Sequence, residues 1–374
     1  MRISRLVGVV TPNERFYIRS HFPVPEIDPA TWRLQVHGLV RHPQSLGLAD
    51  LLNMPSQTMT VTLECAGNGR AFFNPPIDGE QWALGAAGTA EWTGVPLAAV
   101  LEHAGVESNG SELIFRGADA PVSGAEPGRF ERGLSIRDAH EATVLLAYAM
   151  NGDPLPVHHG FPLRVIVPGW YGVASVKWLN EIEVTDVPFQ GYFHSERYYF
   201  AQLQGGNVTA EPVTRMRVRS LITQPEDGEA INPGHVAIRG LAWSGTAHVS
   251  RVDVSVGGGE WKEAHLQGHA RPNSWRRWEL MTRIEHTGEV KIRARAVDAT
   301  GQVQPEQADW NRLGYGNNSI QTITVRVESG ARDEGLDFFH HAALEQERNP
   351  VDGAGQNRSG RHRKHRVHGR RGDG

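Results

Sequence analysis

Seven short segments in the second half of the chain read as β-strands: residues 218–223, 235–243, 249–256, 261–266, 275–280, 289–298 and 320–327. Turn residues separate them. Arg251-Val-Asp-Val-Ser-Val256 and Lys291-Ile-Arg-Ala-Arg-Ala-Val297 alternate polar and apolar side chains at period two, which puts one face in a core and the other in water. Seven such strands within about 110 residues predict an immunoglobulin-like sandwich. The 42 glycines and 22 prolines among 374 residues also favour turns and short strands over long helices. No internal repeat of 20–50 residues stands out.

The first half has a different texture. Residues 45–53 (SLGLADLLN) and 96–104 (PLAAVLEHA) carry apolar side chains at helical spacing. Residues 58–64 are alternating and β-branched, and residues 163–167 and 175–184 also read as strands. The expected fold is therefore α+β: a mixed α/β domain over residues 1–213, then an all-β sandwich over residues 214–330. The joint is expected near residues 205–213, where Gly, Asn and Pro cluster. Residues 331–374 are expected to form a disordered basic tail, with one short helix over residues 336–344. Seven Lys/Arg stand against one Asp in residues 355–374.

Composition narrows the function classes. A net charge of −4 does not suit a nucleic-acid binder. No run of eighteen apolar residues occurs, so no transmembrane helix is expected. The start carries two arginines and then a polar, aromatic segment, Asn13-Glu-Arg-Phe-Tyr17, without the apolar stretch of a secretory signal. The expectation is a cytoplasmic protein, or a periplasmic one if a signal has been removed.

Cys65 is the only cysteine, which excludes an intrachain disulfide and any Cys-rich zinc or iron–sulfur site. It follows the strand over residues 58–64 and opens Cys65-Ala-Gly-Asn-Gly-Arg70. Two glycines allow a tight turn whose backbone approaches a ligand closely, and Arg70 can lower a thiol pKa or bind an anion. Three readings stand open. Cys65 is a small buried hydrophobe, a nucleophile activated by one of the 18 histidines, or a soft donor to a metal whose other ligands come from a cofactor. A second cluster favours the cofactor. His158, His159 and Arg164 flank an apolar strand, and Ser175 and Lys177 follow a Gly-containing loop. Such a set suits an anionic, phosphate-bearing group, although Arg164 and Lys177 taken singly also suit surface charges at strand ends.

Taken together, these motifs resemble the sulfite oxidase family of molybdenum–molybdopterin enzymes. The resemblance runs from Phe16-Tyr-Ile-Arg-Ser-His21 to Trp310-Asn-Arg-Leu-Gly314. Cys65-Ala-Gly-Asn-Gly-Arg70 resembles the family's molybdenum-cysteine motif. The stretch from Leu145 to Trp178 is similar to its pterin-binding segment. The resemblance implies that Cys65 is the protein thiolate on molybdenum and that the pterin dithiolene supplies two more sulfurs. It implies cofactor contacts for His21, Asp119, His159, Arg164, Ser175 and Lys177. It implies an oxyanion pocket of Arg19, Arg70, Trp82 and Tyr198, with Tyr199 the alternative to Tyr198. It further implies a homodimer formed through the sandwich.

The chain departs from the family at three places. Arg19-Ser20-His21 stands where the family usually has Arg-Asn-His. Gly69-Arg70 stands where it has two arginines. Arg312 is one position away from the arginine that completes the sulfite pocket in animal members. These departures bear on the substrate rather than on the cofactor. The expected reaction is oxygen-atom transfer from sulfite to sulfate. No haem-attachment motif is present, so electrons are expected to pass to a separate acceptor such as a cytochrome. The rivals are sulfoxide reduction on the same cofactor, a cofactor-free homologue that keeps the fold, and a cysteine hydrolase.

Overall fold

The computed structural model describes residues 2–6, 8–122, 128–204 and 207–330. The residues expected to form a tail and a short helix, 331–374, lie outside them.

The first half builds two sheets. One is mixed, with strands in the order Gln44–Leu46, Leu34–Gly38, Leu179–Thr185, Glu112–Gly117 and Glu131–Ser135. Its only parallel pairing joins Leu34–Gly38 to Leu179–Thr185. The other is antiparallel, Gln57–Glu64, Ala87–Pro96, Leu145–Met150 and Asp153–Pro154, with Arg164–Ile166 also paired to Leu145–Met150. Three short helices connect them. Leu97–Ala104 starts after Pro96, whose fixed φ suits a helix entry, and ends at Gly105 in the left-handed region. In Ile136–Glu141 the Ser135 hydroxyl caps the first turn by accepting from the Asp138 N–H at 3.0 Å. The helix expected over residues 45–53 shrinks to Leu48–Leu52, because residues 44–46 pair as an edge strand instead. The strand expected over residues 175–184 starts only at Leu179, since the preceding Trp178 has φ 49° and breaks the extended run.

The second half is the sandwich. Arg219–Gln224, Gly234–Trp243, Arg276–Ile284 and His265–Leu266 form one sheet. Ala230–Ile231, Gln321–Val327, Gly288–Asp298, Val249–Val256 and Lys262–Glu263 form the other. Ile222, Ile238 and Trp278 from the first meet Val252, Ile292 and Val325 from the second in one buried cluster. Residues 205–213, expected as a linker, belong in part to a hairpin in which Tyr199–Gln204 pairs with Asn207–Pro212.

A third apolar cluster belongs to both halves. Ala66, Ala87 and Tyr198 pack with Leu221, Leu241, Trp243 and Tyr315. The described residues accordingly fall in one compact unit, Met1–Ala331. Phe115 is fully buried in the core between the first sheets and their helices. Phe115→Ala should lower unfolding free energy by about 3–5 kcal/mol. Urea titration of both proteins measures this, and a loss below about 1 kcal/mol would mean that the site collapses around the deletion.

Candidate active site

Cys65 follows directly on the strand Gln57–Glu64. Its N–H donates to Ala86 O at 2.9 Å, and its carbonyl accepts from the Asn68 N–H at 2.9 Å, so the turn is fixed on both sides. Gly69 sits at φ +87°, and a Cβ there would meet Arg219 Nη2 at 2.9 Å. This accounts for a glycine at that position: the space is taken by another guanidinium.

Nine of the eleven predicted site residues line one cavity of about 680 Å³, its open mouth included. Arg19, His21, Cys65 and Tyr198 are among them, as are Asp119, His159, Arg164, Ser175 and Lys177. The buried Arg164 donates to His159 O (2.9 Å) and Ser175 O (3.0 Å), and its guanidinium lies over Trp92. Among the described residues it has no carboxylate partner, and burial lowers its pKa to about 10. Lys177 Nζ donates to Ser20 Oγ (2.6 Å) and His158 O (3.0 Å). Burial, and then the nearby Arg164, bring its pKa down to about 7. Asp119 is buried, its Oδ1 has no hydrogen-bond partner among the described residues, and burial raises its pKa to about 6. Ser175 Oγ accepts from the Val167 N–H at 3.1 Å, which anchors the loop that carries it.

His21 and Tyr198 form a directed pair. Arg19 Nη2 lies 3.3 Å from His21 Nδ1, and an arginine can only donate, so Nδ1 accepts. Burial, and then Arg19, hold the His21 pKa near 3, so the ring is neutral and carries its proton on Nε2. That N–H donates to the Tyr198 hydroxyl at 2.7 Å, which leaves the phenol proton free to point elsewhere. The buried Cys65 thiol has its pKa raised by desolvation; the Gly67 N–H, Arg19 and Arg70 oppose that shift.

Two residues expected in the pocket lie outside the cavity wall. Arg70 donates through Nε to Leu313 O (3.2 Å) and through Nη1 to Glu80 O (3.0 Å), and its guanidinium lies over the ring of Tyr315. Leu313 and Tyr315 are far along the chain, so a spacing argument from Cys65 could not place these contacts. Trp82 is half-buried, and its indole N–H has no partner among the described residues. Arg312 is exposed, and Tyr198 rather than Tyr199 lines the cavity. Sequence reasoning missed Tyr17, which lines the cavity, and Tyr315, which stacks on Tyr198 with ring centroids 4.8 Å apart. It also missed Glu64, although its place beside Cys65 was a usable signal.

Comparison with known proteins gives this arrangement a class. Residues 21–193 match the family model of an oxidoreductase molybdopterin binding domain, and residues 210–328 that of a Mo-co oxidoreductase dimerisation domain. The chain is 39% identical to sulfite oxidase of Gallus gallus, over 82% of this chain and 70% of that protein. It is also 39% identical to mitochondrial sulfite oxidase of Mus musculus, over 86% of this chain and 62% of that longer protein. The crystal structure of the sulfane dehydrogenase SoxCD from Paracoccus pantotrophus superimposes with a TM-score of 0.77 at 31% identity, covering 87% of this chain and 85% of that one. The chain belongs to the sulfite oxidase family of molybdenum–molybdopterin oxidoreductases.

The residues fit that cofactor. Among the described residues no three His, Cys, Asp or Glu side chains gather to hold a metal, so one at Cys65 takes its remaining ligands from the cofactor. Arg164 is a buried cation without a carboxylate partner among the described residues, and the half-buried Lys177 has the electrostatic attraction of Asp119 but no ion pair among them, a set that suits a phosphate. The orphaned Asp119 Oδ1 suits an N–H donor of the pterin.

The same burial predicts an acid limb of stability. His159 is buried, its Nε2 lies 3.2 Å from Asn13 O, and desolvation followed by Arg164 lowers its pKa to about 4. An unfolded histidine titrates near 6.5. As pH falls from about 6.5 towards 4, the unfolded chain therefore binds a proton that the native chain refuses, and stability is lost. Asp119, raised, works in the opposite direction between its unfolded value and about 6. In cofactor-free protein, His159→Asn should flatten the slope over pH 6.5–4.5 by up to about 1.4 kcal/mol per pH unit. Denaturant midpoints across that range measure it, and parallel slopes would mean that His159 titrates normally.

Proposed function

We propose that the protein oxidises sulfite to sulfate and passes the electrons to a separate acceptor. Sulfite and water give sulfate, two protons and two electrons. The observation that carries this reading is the single cavity that joins Cys65 to Arg19 and Tyr198 on one side and to Asp119, Arg164 and Lys177 on the other. When bound, the molybdenum cofactor supplies two-electron oxygen-atom transfer. Arg164 and Lys177 hold its phosphate, Asp119 and Ser175 orient the pterin, and Cys65 contributes the protein sulfur.

Arg19 draws in the dianion. Its bonds to Ser20 O and His21 leave further N–H groups for a ligand. Neutral His21 holds its proton on Nε2 towards Tyr198, so the phenol O–H can donate to an oxygen in the cavity. Arg197, exposed, adds a positive charge that acts on both His21 and Tyr315. The main electrostatic contact thus moves from Arg70, which is bonded to carbonyls, to Arg19. The match to a dimerisation domain supports assembly as a homodimer through the sandwich. Two observations favour a second reading, reduction of a neutral sulfoxide: Arg70 is not part of the cavity wall and Arg312 is exposed.

Metal analysis and steady-state assays separate these readings. The wild type should contain about one molybdenum per chain and turn over sulfite with an artificial acceptor, and Cys65→Ser should do neither chemistry. A loaded wild type that ignores sulfite and reduces a sulfoxide would establish the second reading. In a sulfite-active enzyme, Arg19→Gln should raise KM for sulfite about ten- to a hundredfold, since a charge-assisted bond contributes roughly 1.5–3 kcal/mol. Arg70→Gln should lower the thermal midpoint more than it raises KM. The reverse ranking would return Arg70 to the substrate pocket.

A further inference from the structure

The turn that carries Cys65 is held mainly from the sandwich half of the chain. Glu64, the residue before it, is 1% exposed. Its carboxylate accepts from Arg219 Nη1 at 2.6 Å, from Asn68 Nδ2 at 2.9 Å and from Trp243 Nε1 at 2.9 Å. Arg219 and Trp243 are cross-strand partners in the first sandwich sheet, so one register position delivers both donors. Arg219 Nη1 also donates to Asn68 O (3.2 Å). Two more sandwich groups reach the turn: the Gly316 N–H donates to Ala66 O (2.8 Å), and Asn317 Nδ2 donates to Gly69 O (2.9 Å). Oxygens of residues 64, 66, 68 and 69 therefore each accept a hydrogen bond from the sandwich half.

Such a clamp has two consequences. It restricts the backbone torsions that aim the Cys65 side chain, and it places an ion pair next to Cys65, whose Glu64 charge acts on the thiol. We propose that Glu64 and Arg219 are a positioning pair that sets the orientation and electrostatic surroundings of the Cys65 sulfur from the sandwich half. The proposal rests on the reading of Cys65 as a metal ligand. It gives the sandwich a role at the active centre besides dimerisation. Groups that orient a metal ligand without touching the metal commonly change affinity or activity ten- to a hundredfold when removed.

The test uses cofactor-loaded enzyme with Glu64→Gln, Arg219→Gln and Trp243→Phe. Glu64→Gln removes a negative charge behind the sulfur and should raise the midpoint potential of the metal. Arg219→Gln leaves that charge uncompensated and should lower it. Both should change the g-values of the one-electron-reduced molybdenum signal in electron paramagnetic resonance, and turnover of loaded enzyme should fall about ten- to a hundredfold. Trp243→Phe keeps the ring and removes one neutral donor. It carries the test if the charge variants do not accumulate, and it should shift the g-values at unchanged molybdenum content. Wild-type potentials and g-values in loaded variants, whatever their loss of thermal stability, would reduce the pair to an interlayer staple and overturn the proposal. Absence of molybdenum from the wild type would overturn the functional reading and this proposal with it. Measuring metal content first keeps the two failures apart.

Discussion

The ion pair between Glu64 and Arg219 is buried on both sides, with side chains 2% exposed. Removing two charges from water costs several kcal/mol per ion, and their attraction repays that only when further hydrogen bonds satisfy the remaining sites. Here they do in large part: Glu64 receives three donors, and Arg219 also reaches Asn68 O. Breaking such a pair on one side leaves an unpaired buried charge, at a cost of about 3–5 kcal/mol. Neither half of the chain can be pulled away without paying that cost, and the apolar seam around Ala66, Trp243 and Tyr315 lies beside it. The continuity of the unit Met1–Ala331 follows from these two features together.

The cavity shows the opposite electrostatic pattern. Arg164 is close enough to Lys177 to act on its charge, and burial lowers the pKa of both, opposed at Lys177 by the attraction of Asp119. Carbonyl oxygens and aromatic faces partly solvate them, but a protein interior that concentrates cations is unstable without an anion. A phosphate bound beside them would offset that desolvation. Asp119 completes the pattern as an acceptor without a donor.

Much of this was legible because strand periodicity and local motifs survive in the sequence. The sandwich strands and the strand before Cys65 follow from alternation alone, and nine of the predicted site residues meet in one cavity. The failures have physical causes. Residues 205–213 read as the joint between domains because Gly, Asn and Pro cluster there, yet Asn207–Pro212 pairs as a strand with Tyr199–Gln204. Residues 175–178 read as strand together with residues 179–184, but the left-handed φ of Trp178 breaks the extended run. Arg70 lies outside the cavity wall, which spacing could not foresee because it locates a Cα and not the end of a long side chain. Its acceptors, Leu313 O and Glu80 O, come from elsewhere in the chain.

Gly69 links these threads. A second arginine in the Cys65 turn would need room behind position 69, and Arg219 already fills that room. The left-handed φ of +87° adds a backbone reason for glycine. One guanidinium therefore approaches the turn from the sandwich, where it neutralises Glu64, rather than from the turn itself, where it could meet a substrate. The other guanidinium, Arg70, is drawn towards the sandwich loop by Leu313 O and the face of Tyr315. Both guanidiniums thus make their hydrogen bonds at the seam, while the charge of Arg70 still acts on Cys65 and Tyr198. Arg19, by contrast, lines the cavity together with Tyr198, and the proposed anion contact falls to it because the other two guanidiniums are engaged at the seam.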